Sequence, residues 1–271
     1  MAIDPLHKLS LYQQSVQHPL AEAFFLCRVY EEYNPDKQAN TLREDFCGSA
    51  AISLGWIMAD PDRKAIAVDH DVPTIAFAKE QIEEQLGRSS NNITLICDDV
   101  RQPLNKIPPA DIIASMNFST LIFHNRQTLL AYFQQTRRNL DKGGVFVMDL
   151  LGGPGAMQVI TQNREMQLTD GTPYTYHWQQ RSFDALTHRI DCRIHFTLAN
   201  GEQKRDAFIY DWRLWSIPEL LELLTEAGFK QPKVWCDTLA PTGQSDGHYQ
   251  SITHLPSRHD WVVYLSAQNP T

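Results

Sequence analysis

The chain has 271 residues, 42% of them apolar and 21% charged, a composition that excludes disordered, collagenous and membrane-embedded classes. With 24 Lys and Arg against 32 Asp and Glu, the net charge of −8 repels nucleic-acid phosphates and anionic lipid surfaces, so neither is expected as a partner. Five cysteines, at widely separated positions 27, 47, 97, 192 and 236, form neither a disulfide framework nor CxxC zinc spacing, and no signal-like or spanning apolar run appears, so a cytoplasmic location is expected.

Leu20, Phe24 and Cys27 have the spacing of one helix face, which predicts a helix over 18–32 that Asn34-Pro35 ends. A short strand over 41–45 runs straight into the turn FCGSA. The strand over 65–69 leads to a helix with Asp71 as N-cap, Pro73 in its first turn and Gly87 at its end. Near-continuous apolar runs at 93–97 and 111–116 read as strands of a parallel sheet covered on both faces. Asn125 caps the next helix, which turns Leu129, Tyr132 and Phe133 inward and ends at Gly143-Gly144 before a strand over 145–150. Repeated strand-helix-strand units of this length build an α/β fold, a doubly wound and mostly parallel seven-stranded sheet with ligands at the carboxyl ends of its strands.

From about residue 172 the period changes from 3.6 to 2. Tyr174, Tyr176 and Trp178, then Ile190 to Leu198, then Phe208, Tyr210 and Trp212 alternate with polar residues, with Asn200-Gly201 marking a hairpin between the last two runs. Three antiparallel strands are therefore expected as an insertion before the last helix. That helix starts at the capping box Ser216 and Glu219 and stops at Gly228. Strands over 233–237 and 261–266 close the chain, and the polar loop 239–259 between them is long enough to serve as a lid. The expected organisation is an N-terminal helical cap (1–40), an α/β domain (41–155 and 214–271) and the inserted strands (156–213) on the substrate side.

The chemistry-bearing residues gather at strand ends. The turn Glu44-Asp45-Phe46-Cys47-Gly48-Ser49-Ala50, Asp69 closing the second strand, Asp98-Asp99-Val100 after the third and Asn117-Phe118 after the fourth resemble class I S-adenosylmethionine-dependent methyltransferases, in an element order running over 41–266. The resemblance implies a cofactor site from Glu44, Cys47, Gly48, Ser49, Asp69, His70, Asp98, Asp99, Val100, Asn117 and Phe118. In it Asp69 takes the ribose hydroxyls, the 98–100 segment holds the adenine, and Asn117-Phe118 line the methionine half and the substrate entrance. Only the central glycine of the family's E-x-G-C-G-T-G turn is present, with Phe46 and Ala50 in place of two others.

The implied reaction is methyl transfer to an unidentified small-molecule acceptor, leaving S-adenosylhomocysteine. Alignment of donor and acceptor supplies much of the catalysis, so a base is optional. Tyr12, His124, His248 and Tyr249 are candidates to take a proton, and Arg181 and Arg213 to hold a substrate carboxylate. The N-terminal helix, with Tyr12, Gln13 and Gln17, resembles the family's cap over the cofactor. Six acids at one sheet edge (Glu44, Asp45, Asp69, Asp71, Asp98, Asp99) suit a sulfonium better than a pyrophosphate, which ranks a nicotinamide-dependent oxidoreductase below methyl transfer. A non-enzymatic S-adenosylmethionine sensor or scaffold is the other alternative. Cys47 reads as a packed residue rather than a nucleophile. The aromatic stripe from Tyr174 to Trp212 reads as the core of the insertion, although an open stripe would hold a methylammonium or a planar group. His248, His254 and His259 match no metal pattern, no metal is assigned, and no G-x-S-x-G elbow supports a hydrolase.

Overall fold

The computed structural model describes residues 4, 7–102, 107–239 and 245–270, with the backbone alone at 238–239 and 245–248. Two helices, α1 (Lys8–Val16) and α2 (Pro19–Tyr33), precede the α/β units. These run β1 (Thr41–Asp45), α3 (Ala51–Ala59), β2 (Lys64–Asp69), α4 (Val72–Leu86), β3 (Ile93–Cys97), β4 (Ala110–Ser115), α5 (Arg126–Arg138) and β5 (Leu140–Gly152). Then come β6 (Ile160–Gln167), β7 (Pro173–Asp184), β8 (Arg189–Leu198) and β9 (Gln203–Arg213), and finally α6 (Ile217–Glu226), β10 (Lys230–Leu239), β11 (Ser245–Ile252) and β12 (Trp261–Gln268).

The large sheet has the order β11-β10-β12-β5-β4-β1-β2-β3. Strands β1 to β5 are parallel, and β12 enters antiparallel between β5 and β10. Its eight strands are one more than the seven expected, because β11 arises within the stretch read as a loop. The sequence SDGHYQSI carries no apolar alternation, so its edge pairing with β10 through the backbone has no sequence signature. Residues 240–244 of that loop lie outside the described residues.

Local chemistry sets most element ends as expected. Asp71 accepts the Thr74 N–H at 3.0 Å, Asn125 accepts that of Thr128 at 2.9 Å, and Ser216 with Glu219 forms a complete capping box. Helix α5 ends earlier than the glycine pair, at Arg138, because Leu140 already pairs with Ala110 and the chain enters β5 before Gly143.

The face of α2 is reversed relative to the expected stripe. Leu20 and Phe24 are 41% and 60% exposed, while Ala23, Leu26, Val29 and Tyr30 pack with Trp56, Ile112 and Val147 over the sheet. Apolar residues occupy both sides of this helix, so periodicity alone does not choose the buried one. Helix α2 crosses α3 at Gly55, where an added Cβ would lie 2.3 Å from the Pro19 carbonyl oxygen.

The second sheet, β6-β7-β8-β9, has four strands rather than three. Its extra edge strand, ITQNREMQ, is exposed along nearly its whole length and pairs only with β7, so it too lacks alternation. Helix α1 fastens this sheet to the rest: Leu11 is buried among Tyr174, Tyr176 and Phe196, and the Ser15 hydroxyl lies 3.0 Å from the Tyr174 hydroxyl. Among the described residues no helix is long and apolar enough to cross a membrane.

Substituting Gly55→Ala forces α2 away from α3, and overpacking of this kind costs about 1–3 kcal/mol. Thermal unfolding of the variant is expected several degrees below wild type.

Candidate functional site

The turn after β1 is built from alternating left-handed residues. Phe46, Gly48 and Ala50 have φ of 56°, 53° and 56°, which folds the chain sharply from β1 into α3. Two of the three carry a Cβ, so the conformation is maintained by surrounding bonds. Below the turn, Arg43 Nε donates to Asp45 Oδ1 at 2.7 Å and the Tyr132 hydroxyl to Asp45 Oδ2 at 2.9 Å, all three side chains being buried. Burial still raises the Asp45 carboxyl above its ordinary value, against the pull of Arg43 and Tyr132.

Glu44 also turns inward. Its Oε2 accepts the Ser53 N–H at 2.8 Å and the Ser53 hydroxyl at 2.6 Å within the first turn of α3, and burial pushes its pKa up to about 8. Glu44 and Asp45 are 2% and 1% exposed, so two of the six acids expected along the sheet edge are interior groups. A carboxylate next to an apolar strand is drawn inside where the backbone offers it donors.

Asp69 Oδ2 accepts the Gly48 N–H at 2.9 Å and Oδ1 the Asp71 N–H at 3.0 Å. The end of β2 thus grips the turn of its neighbour β1. Asp149, near the end of β5, grips the turn after β4 in the same way: its two oxygens accept the N–H groups of Asn117 and Phe118 at 2.9 and 2.7 Å. Both of those residues are left-handed, with φ of 57° and 60°. Burial raises the Asp149 pKa to about 7 even with these donors.

Two cavities open at this end of the sheet. The smaller, ≈190 Å3, is bordered by Phe46, Asp69, His70, Asp98, Asp99, Val100, Arg101 and Ile122. Asp99 is held here by Arg101, at 2.9 Å to Nε and 2.7 Å to a terminal nitrogen, which keeps its carboxyl below the ordinary range. The larger cavity, ≈710 Å3, lies between α2, the second half of α1 and the inserted sheet. Its walls are Tyr12, Phe24, Phe25, Phe118, Tyr176, Trp178, Tyr210 and Trp212, and Glu22, Asn117 and Asp149 bring polar groups to it. The segment 117–122 runs between the two, with Phe118 facing the larger and Ile122 the smaller.

The expected cofactor residues therefore divide. Asp69, His70, Asp98, Asp99 and Val100 come together at the small cavity, and Asn117 with Phe118 at the large one. Gly48 and Ser49 form the turn beside them, with the Ser49 hydroxyl donating to Gln13 of α1 at 3.4 Å. Cys47 is buried, and burial with the neighbouring acids raises its thiol well above the usual value, which leaves it protonated and packed. Glu44 borders neither cavity.

Of the expected substrate residues, Tyr12 and Tyr249 line the large cavity. Three others lie outside its lining: His124 meets the Asp211 carbonyl at 2.7 Å, Arg181 pairs with Asp206 on the outer face of the insertion, and Arg213 donates to the His124 carbonyl while lying over Trp215. The side chain of His248 lies outside the described residues. The aromatic stripe is partly open rather than wholly core: Tyr174 is buried against α1, whereas Tyr176, Trp178, Tyr210 and Trp212 face the cavity.

Sequence reading missed Glu22, Asp149 and Arg101. An acid inside the apolar run VFVMDL was the available signal for Asp149, and the pair Asp99–Arg101 was one for Arg101. Glu22 reads as an ordinary first-turn acid of a helix. No group of metal-ligating side chains forms among the described residues.

No protein-family model and no curated protein matches the chain. Solved structures do. CalS10 from Micromonospora echinaspora, an amino pentose methyltransferase bound to S-adenosylmethionine, aligns at 12% identity over 99% of this chain and 98% of its own, with a TM-score of 0.70. Streptomyces venezuelae DesVI aligns at 16% identity over 100% of both chains, with a TM-score of 0.71. The sugar N-methyltransferase KedS8 from Streptoalloteichus sp aligns at 17% identity over 100% of this chain and 95% of its own, with a TM-score of 0.66. The chain shares the fold of these proteins, among them the S-adenosylmethionine-bound methyltransferase CalS10, and in this chain that fold is a mostly parallel sheet with a separate antiparallel one.

Replacing Arg43 by Met leaves Asp45 buried with only Tyr132 as donor, which costs about 3–5 kcal/mol and is read in chemical unfolding. A second outcome concerns pH. Glu44 and Asp149 hold their protons in the native state to about pH 8 and 7, whereas unfolded carboxyls release them near 4. The stability these groups contribute is full below pH 4 and is lost as pH rises through the native values, so the melting temperature falls between pH 5 and 8. Glu44→Gln keeps an acceptor for Ser53 without the charge and makes that fall shallower in a series of melts across this range.

Proposed function

We propose that the protein is an S-adenosylmethionine-dependent methyltransferase whose acceptor is a small molecule taken into the ≈710 Å3 cavity, with S-adenosylhomocysteine as product. The observation that carries this reading is the acidic nucleoside edge. Asp69, Asp98 and Asp99 border the small cavity, and Glu44 occupies the Ser53 N–H in the first turn of α3. A pyrophosphate needs such first-turn N–H groups and meets repulsion from the acids, whereas a ribose and a sulfonium do not. This disfavours a nicotinamide dinucleotide.

The residues fit the cofactor. Each Asp69 oxygen accepts one backbone N–H and keeps a further lone pair, so the carboxylate retains one acceptor site for each ribose hydroxyl. When bound, the cofactor supplies a methyl group already activated on a sulfonium. Asp69 orients the ribose, Gln13 and Ser49 close α1 over the turn, and the 117–122 segment, fixed by Asp149, borders both cavities. The aromatic walls exclude water and hold the acceptor in line, a contribution of about 7–11 kcal/mol in favourable cases. The domain reading accompanies it: residues 1–40 cap the turn after β1 and the large cavity, 41–155 with 214–271 bind the cofactor, and 156–213 complete the acceptor wall. Small-molecule acceptors are supported by the fold's likeness to an amino pentose methyltransferase and a sugar N-methyltransferase.

S-adenosylhomocysteine at about 100 times its dissociation constant adds about 2.7 kcal/mol of stability, a rise of several degrees in the melt. A shift with a nicotinamide dinucleotide and none with S-adenosylhomocysteine would reverse the reading. Asp69→Ala removes the ribose acceptor and one support of the glycine turn, and calorimetry of S-adenosylhomocysteine binding is expected to show a loss of about 1.5–3 kcal/mol.

A further inference from the structure

The large cavity combines two features that serve one ligand chemistry. Its wall on the inserted sheet is a run of aromatic faces, Trp178, Tyr210 and Trp212, with Tyr210 and Trp212 stacked at 4.3 Å and Trp178 6.0 Å from Trp212. On the α2 side stands Glu22. Its Oε1 accepts the His18 N–H at 3.2 Å, but Oε2 is shielded from solvent and has no hydrogen-bond partner. No ion pair to Glu22 forms among the described residues, although Arg28 and His18 line the same cavity. Asp149, the other carboxyl there, has both oxygens occupied by backbone N–H groups. An unpaired carboxylate oxygen with no exposed surface is costly unless a ligand satisfies it.

We infer that the acceptor is an aliphatic amine, held as its ammonium form between Glu22 Oε2 and the aromatic wall, and that Glu22 takes its proton. This rests on the methyl-transfer reading of the same site. An ammonium is attracted by both the carboxylate and the aromatic ring faces, whereas a carboxylate acceptor is repelled by Glu22 and an alcohol gains no charge pairing. Only the deprotonated amine carries a lone pair. A proton passes from the bound ammonium to Glu22 Oε2. The nitrogen lone pair then forms the new C–N bond while the methyl carbon's bond to sulfur breaks, and sulfur keeps that electron pair. The alkylated nitrogen leaves as an ammonium, and Glu22 returns its proton to water. Charge favours the arrangement as well: a cationic acceptor next to a sulfonium is otherwise disfavoured, and the Glu22 carboxylate offsets that repulsion.

The test compares cyclohexylamine with cyclohexanol, a pair of nearly equal shape, by calorimetry at pH 7.5 with S-adenosylhomocysteine saturating. The amine is expected to bind at least tenfold more tightly than the alcohol to the wild type. Glu22→Gln keeps an acceptor for His18, and it is expected to bring the two probes within about threefold while leaving S-adenosylhomocysteine affinity unchanged. Equal binding of amine and alcohol to the wild type, no binding of either, or a preference that survives in the variant overturns the assignment of an amine to Glu22. Should the variant fold poorly, the wild-type discrimination decides alone. Failure of S-adenosylhomocysteine to bind the wild type overturns the methyl-transfer reading instead, so the two failures are distinct.

Discussion

The site depends on carboxylates at the ends of parallel strands being bonded to the backbone of the adjacent turn. Asp69 at the end of β2 accepts from Gly48 in the turn after β1, and Asp149 near the end of β5 accepts from Asn117 and Phe118 in the turn after β4. Glu44 does the same for the first turn of α3. A buried carboxylate is costly without donors, and a sharp left-handed turn is costly without support, so each feature stabilises the other. This accounts for Phe46, Ala50, Asn117 and Phe118, four residues with a side chain, adopting a backbone region that glycine occupies more readily. It also leaves the two cavities with rigid borders at a common edge.

The large cavity is assembled by packing rather than by turn chemistry. Helix α1 buries Leu11 in the inserted sheet and bonds Tyr174 through Ser15, while its Gln13 reaches Ser49 of the glycine turn. The inserted sheet is thus tied to the turn after β1 through a short helix, and the aromatic faces left uncovered by α1 become the wall of the large cavity. Helix α2 completes it because its inner face is spent on the sheet and α3, and Glu22, Phe24 and Phe25 are left to border the opening.

Much of the architecture was legible in the sequence. The five parallel strands, the caps at Asp71, Asn125 and Ser216, the hairpin at Asn200-Gly201 and the convergence of Asp69, Asp98 and Asp99 follow from local chemistry and period. The two strands that were not legible, β6 and β11, are polar edges that pair through the backbone alone. The site was legible at its small cavity and much less so at its large one. Tyr12 and Tyr249 reach the cavity, whereas His124 and Arg213 are spent on contacts between the insertion and its neighbours, and Arg181 on an ion pair within the inserted sheet.

Sequence by itself determined which residues end strands and cap helices, because those choices depend on a few consecutive side chains and their own backbone. Tertiary structure alone decided the direction in which each acid points. Glu44, Asp45 and Asp69 are similar strand-end carboxyls, yet the first two lie inside and the third borders a cavity. The difference is set by donors from distant positions, Ser53, Tyr132 and Gly48, which only the folded chain brings within hydrogen-bond reach. The same holds for Glu22, whose unpaired oxygen acquires meaning only when strands some 150 or more residues later close an aromatic wall opposite it.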